Sequence, residues 1–94
     1  MSTNLDTVHN HHERAVFAAV LALAPRFPDL QQGEFLADVA CVALNRLPPR
    51  YIRHQVDFAF YLSDREYQEM QAAVDEAVGS AFAFVQQRVT SQPR

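Results

Sequence analysis

The chain has 94 residues, with eight cationic and eleven acidic side chains and a formal charge of −3. That length carries one domain with a thin core, about 64% of the unfolded surface being buried, and the acidic total argues against DNA or an anionic membrane as a partner, since both call for a basic face. A single cysteine excludes an intrachain disulfide framework and a zinc site built from several thiolates. Two glycines and long windows of apolar residues at spacings of three and four predict helices rather than sheets. The first window runs from about Val8 to Ala24, with Asp6 or Thr7 as its cap and Pro25 and Pro28 as its stop. Asp29, with Gln32 three places on, predicts the start of a second helix. Its buried face would be Phe35, Leu36, Val39, Ala40, Ala43, Leu44 and Leu47, with Cys41 buried as a small hydrophobe. Pro48-Pro49 ends that helix.

From Tyr51 to Leu62 the apolar residues Val56, Phe58, Phe60 and Leu62 alternate with others, a period of two that predicts a short strand or extended segment. No second alternating run is present, so such a strand would pair with another copy of the chain or stay irregular. Ser63 and Glu66 form a capping box that opens a third helix of about 26 residues. Met70, Val74, Val78, Ala81, Val85 and Val89 line one face, with Tyr67, Ala73, Ala77 and Phe84 beside it. At ~39 Å it is longer than the ~32 Å globule that would cover it, which favours a second subunit.

The most informative stretch is Asn45 to His54. It holds Arg46, Arg50 and Arg53 around the Pro48-Pro49 corner and no acid; removing its +3 from the total of −3 leaves −6 for the rest. All eight cations are arginine, whose fork suits phosphate oxygens and whose flat face stacks on bases. Tyr51 offers a second stacking surface, and Asp57 can accept bonds from the donor edge of a base. Together these suit a compact phosphorylated ligand carrying a base. The competing reading pairs Arg46 and Arg53 with helix acids such as Asp38 or Glu66 and leaves Arg50 merely exposed.

Ala43-Leu44-Asn45-Arg46-Leu47-Pro48-Pro49-Arg50-Tyr51 resembles the central motif of the ComFB family, the late competence development proteins, A-L-N-x-L-P-P-x-Y. Val8-His9-Asn10-His11-His12-Glu13 is similar to that family's opening helix, and the resemblance spans about residues 8 to 90. It implies a small, mainly helical homodimer that acts as a receptor for cyclic dinucleotides and influences motility, competence or cell size. Asn45, Pro48, Pro49 and Tyr51 match the motif directly, and Arg46 and Arg50 fill its variable places. Two departures stand out. Some members hold zinc in a cysteine cluster, which this chain with its lone Cys41 lacks, so no zinc or other cofactor is expected. Many members continue after the tyrosine with a Thr/Ser-rich turn and glycine, where this chain has Ile52 to Leu62. Arg53 and Asp57 therefore rest on local chemistry alone. With the resemblance added, ligand binding at the corner becomes the preferred reading.

His9, His12 and Glu13 are spaced to share a helical face that could bind a metal, but a polar N-terminal turn is the expected reading. Catalysis has little support, since Gly33 and Gly79 build no phosphate loop and pairs such as Asp75-Glu76 read as a solvated face. The expectation is thus a mainly α protein: a three-helix compact domain over residues 8–90, with a short extended segment between the second and third helices and flexible termini at 1–7 and 91–94, forming a homodimer. Its expected role is non-enzymatic, a cyclic-dinucleotide receptor, preferably for cyclic di-GMP, that passes its state to a protein partner in motility or competence. The ligand residues would be Asn45, Arg46, Pro48, Pro49, Arg50, Tyr51, Arg53 and Asp57. The rival is a nucleotide-independent interaction module of the same machinery. The opening residues carry no basic region and the longest apolar run, Ala15 to Ala24, is too short to cross a bilayer, so cytoplasmic residence is expected.

Overall fold

A computed structural model describes residues 3–91; Met1, Ser2 and residues 92–94, part of the termini expected to be flexible, lie outside the described residues. The protein is mainly α, as expected, with a two-stranded ribbon: β1 (His9–Asn10), α1 (His12–Leu23), α2 (Gly33–Arg46), β2 (Tyr51–Ile52), α3 (Gln55–Phe60) and α4 (Asp64–Ser91). The helices α1, α2 and α4 pack pairwise around one core. Their spaced apolar residues meet there, with Val16 and Val20 from α1, Val39 and Ala43 from α2, and Val74, Val78, Ala81 and Phe82 from α4. Phe82 is fully buried and stacks on Phe27 with ring centroids 4.6 Å apart and planes 13° from parallel.

The helix ends follow local chemistry. Ser63 Oγ accepts from the Glu66 amide at 3.1 Å and Glu66 Oε1 accepts from the Ser63 amide at 3.3 Å, the reciprocal box read from the sequence. α4 then runs for 28 residues, about 42 Å, and its first six residues, Asp64 to Glu69, are all exposed. The Cα radius of gyration is 15.4 Å, against about 12 Å for a compact chain of this length.

Five expectations are corrected. The predicted strand over Tyr51 to Leu62 is a strand only at Tyr51–Ile52; Gln55–Phe60 is a helical turn and a half, begun by the Phe58 amide donating to the His54 carbonyl at 3.1 Å. Its pairing partner lies in the same chain: β2 runs antiparallel to β1, with His9 opposite Ile52 and Asn10 opposite Tyr51. The first helix starts four residues later than expected, at His12, because residues 8–10 are used as ribbon; Asp6 and Thr7 sit in a 3₁₀ turn, Leu5–Thr7. The second helix starts at Gly33 instead of at Asp29. Pro28–Leu30 forms a separate 3₁₀ turn that seats the fully buried Leu30, and Gln32 is extended. The Gln31 amide bridges this connection by donating to the carbonyls of Ala24 at 2.8 Å and Phe27 at 2.9 Å. Cys41, expected in the core, is exposed, since its neighbours Val39, Ala40 and Ala43 take the inward face of α2.

Candidate functional site

α2 ends where the sequence demands it. Leu47, which precedes Pro48, leaves the helix for an extended conformation with φ −94° and ψ 136°, and its side chain stays buried under the corner. Beyond it the chain is tied to the N-terminal segment by the strand pairing and by the side chain of Asn10. Asn10 is buried, and its Oδ1 accepts from the backbone N–H of His12 at 3.1 Å and of Arg50 at 3.2 Å. The first bond holds the first residue of α1 and the second fixes the corner. The Asn10 backbone N–H donates to Glu13 Oε2 at 3.4 Å, which ties Asn10 to the first turn of α1 as well. Next to it the His11 amide donates to the Arg50 carbonyl at 2.7 Å. The opening segment and the Pro-Pro corner, which lie far apart in sequence, are thus two sides of one structure.

The three arginines of the corner have neutral partners. Arg46 donates from Nη1 to Ser80 Oγ at 2.8 Å and lies over the Phe84 ring, 5.2 Å from its centroid. Arg50 lies over the Phe58 ring at 5.0 Å, and Arg53 donates from Nε to Thr7 Oγ1 at 3.1 Å. Among the described residues the only ion pair is Arg65–Glu69, at 3.0 Å on the surface of α4. The pairing of Arg46 or Arg53 with Asp38 or Glu66, considered from sequence, does not form.

The named residues are not gathered into one pocket. Arg53 and Asp57 line an open cleft of about 760 Å³ between β1, the start of α1 and α3. Pro48, Pro49 and Arg50 face a smaller cleft of about 370 Å³ toward Glu66 and Glu69 of α4. Arg46 faces Ser80 and Glu76 further along α4. Tyr51 is an exposed ribbon residue, and the Asn45 side-chain amide turns back to donate to the Cys41 carbonyl of its own helix at 2.9 Å.

Residues that sequence reasoning did not place at the site complete it. Phe58 contacts the His11 ring, centroids 4.4 Å apart, as well as Arg50, and the Gln55 side chain meets His11 Nδ1 at 2.8 Å. α3 is attached through these groups and has no buried residue. Burial lowers the pKa of His11 below its ordinary value; the neighbouring His12, Arg50 and His9 push the same way, and the hydrogen bond with Gln55 opposes them. Burial also lowers that of His12, with Arg50 adding to the effect and a hydrogen bond to the Pro48 backbone opposing it. Both rings are therefore held neutral against the corner. The Asn10-to-Glu13 spacing was the sequence signal for the tether, but its partner at residue 50 is a tertiary fact. His9, considered as a metal ligand with His12 and Glu13, lies in β1 outside the helix, its Nδ1 2.9 Å from the Thr7 carbonyl. Among the described residues no group of three or more His, Cys, Asp or Glu side chains is placed to hold a metal ion, and no helix is long and apolar enough to cross a membrane.

No curated protein and no solved structure matches the chain. The family model of the late competence development protein ComFB matches residues 9–89. That span takes in the Asn10 tether, the Pro-Pro corner and the three core helices together, and the chain belongs to the ComFB family.

Proposed function

We propose that this protein is a non-enzymatic receptor for a cyclic dinucleotide, preferably cyclic di-GMP, held at the Pro48-Pro49 corner by a homodimer. The observation that carries this reading is the state of the corner arginines. Arg46, Arg50 and Arg53 have hydroxyls and aromatic rings as partners and no carboxylate among the described residues. Three guanidiniums without a carboxylate partner, set around one corner of an otherwise acidic chain, attract phosphate, and a guanidinium face that stacks on a phenyl ring is also suited to a base. The dimer is supported by surface area. The chain exposes 7045 Å², about 1,500 Å² more than a compact monomer of its mass. Burying that excess on two copies gives an interface of about 3,000 Å², within the range of obligate homodimers. A two-fold dimer suits a two-fold ligand with two phosphates and two bases. The acidic total still argues against DNA.

Isothermal titration of the purified protein with cyclic di-GMP, cyclic di-AMP and linear pGpG tests the reading. Binding of a cyclic dinucleotide at micromolar protein supports it, with a matching gain of about 2.7 kcal/mol in stability at a hundredfold excess over Kd. No heat from any of the three sinks it. A second reading, a protein-interaction module of the competence or motility machinery, is favoured by the outer side of α3. Val56, Phe60 and the adjoining Tyr61 are 70%, 84% and 83% exposed there. The two readings are compatible if α3 carries the signal to a protein partner, and they part if nucleotide leaves stability unchanged.

A further inference from the structure

The cleft between the start of α1 and α3 contains chemistry that the corner motif does not account for. Arg14 from α1 and Asp57 from α3 both line it, and neither has a hydrogen-bond or ion-pair partner among the described residues. They are opposite charges on one cleft that do not reach each other. Phe17, one helical turn beyond Glu13 and Arg14, is 49% exposed on the same cleft, where it presents an aromatic surface beside Val56. Arg53 joins this cleft to the corner: its Nε is engaged by Thr7, while neither terminal nitrogen has a partner among the described residues. The volume, about 760 Å³, is in the range of small-ligand sites.

An unpaired carboxylate and an unpaired guanidinium across a cleft with an aromatic wall match a flat molecule whose one edge donates and whose other edge accepts. Guanine is such a molecule. Its N1–H and N2–H₂ donors face a carboxylate, and its O6 and N7 accept the two parallel bonds of a guanidinium. Adenine in the same pose turns its N1 lone pair toward the carboxylate, which is left unsatisfied and repelled, and its N6 amino group toward the guanidinium, which keeps N7 as its single acceptor. We infer that this cleft is a guanine-reading subsite, with Asp57 accepting from N1–H and N2–H₂, Arg14 donating to O6 and N7, and Phe17 stacking on the base. Arg53 then holds the adjoining phosphate. The inference rests on the receptor reading above and assigns its base recognition to Arg14, Phe17 and Asp57, all of which lie outside the central motif.

Calorimetric titration of wild type, Arg14→Ala, Asp57→Asn, Phe17→Ala and Arg50→Ala with cyclic di-GMP and cyclic di-AMP tests it, with circular dichroism to confirm folding. Arg14 and Asp57 are exposed, so those two variants keep the core intact. Arg14→Ala and Asp57→Asn are expected to weaken cyclic di-GMP about tenfold or more, with Asp57→Asn removing most of the preference over cyclic di-AMP. Phe17→Ala weakens both nucleotides, as loss of a stacking surface should, and Arg50→Ala weakens both without changing their ratio. Wild-type affinity for cyclic di-GMP in both Arg14→Ala and Asp57→Asn overturns the subsite while leaving the receptor standing. Equal binding of the two nucleotides by the wild type also overturns it. Failure of the wild type to bind either removes the receptor reading, and the subsite with it.

Discussion

Val16, Val39, Val78 and Phe82 are almost wholly withdrawn from solvent, whereas from Pro48 to Leu62 no residue is buried. These two regions adjoin at Leu47, the last core residue before the corner, and they are stabilised by different forces. The helical core relies on apolar area and close packing, which act in bulk and are insensitive to modest changes of pH or ligand. The segment from the corner to α3 relies on a few directed contacts: Asn10 to Arg50, His11 to Arg50 and Gln55, and the Phe58 ring between an imidazole and a guanidinium. Such contacts are individually worth about 1 kcal/mol, so the segment opens at far lower cost than the core. Arg50 and Arg53, neither of them ion-paired among the described residues, lie in the region that yields most easily, where a bound ligand can change a conformation. The core supplies a fixed frame and has no part in that response.

The sharpest test of this division is a large cavity in the frame. Phe82→Ala removes a fully buried ring that stacks on Phe27 and is expected to cost about 3–5 kcal/mol, a large share of the stability of a domain this small. Urea denaturation followed by circular dichroism reads the loss. A cost under about 1 kcal/mol would mean that the core is not where the stability lies. The second test cuts the tie between the regions. Asn10→Ala leaves the amides of His12 and Arg50 without their acceptor and is expected to cost about 1–3 kcal/mol. Its signature is local: amide exchange at residues 50 to 60 should accelerate well beyond what the global loss explains. Uniform acceleration across α1, α2 and α4 would place Asn10 in the core instead.

The same division explains what the sequence made legible. Where burial selects one helical face, the spacing of apolar residues reports it: the inward row of α4 from Val74 to Val85 is where the pattern predicts, and the Ser63–Glu66 box starts the helix as predicted. Where nothing is buried, spacing has no meaning. Val56, Phe58, Phe60 and Leu62 alternate as a strand would, yet Val56 and Phe60 are one helical turn apart on the exposed side of α3, and only Phe58 and Leu62 are partly covered. The alternation there reflects composition without a face to enforce it. Leu30, fully buried, escaped the pattern because it is placed by the connection between α1 and α2, a packing not visible along either helix. The arginines at the corner were legible as types and positions. Their separation onto three faces was not, because Arg46 still belongs to α2 and points to α4, whereas Arg53 follows the ribbon to the other side.

The third test is the smallest in effect and the most specific to the corner. His11 and His12 are both held neutral by burial, with Arg50 beside each and His9 near His11. A histidine whose folded pKa lies below its unfolded value of 6.5 takes up its proton more readily in the unfolded chain, so stability is complete above that value and declines as pH falls toward the folded pKa. The midpoint of thermal unfolding should therefore drop between pH 7.5 and 5.5, by less than either substitution above produces. Replacing both residues in a His11→Gln/His12→Gln variant should flatten that slope while the carboxylates elsewhere are untouched. Because protonated rings would also repel Arg50 and push against the Phe58 stack, amide exchange in α3 should rise over the same pH interval before the core helices respond. If α4 loosens first, or if the double variant keeps the wild-type slope, the acid response belongs to the frame and the corner is not the region that yields.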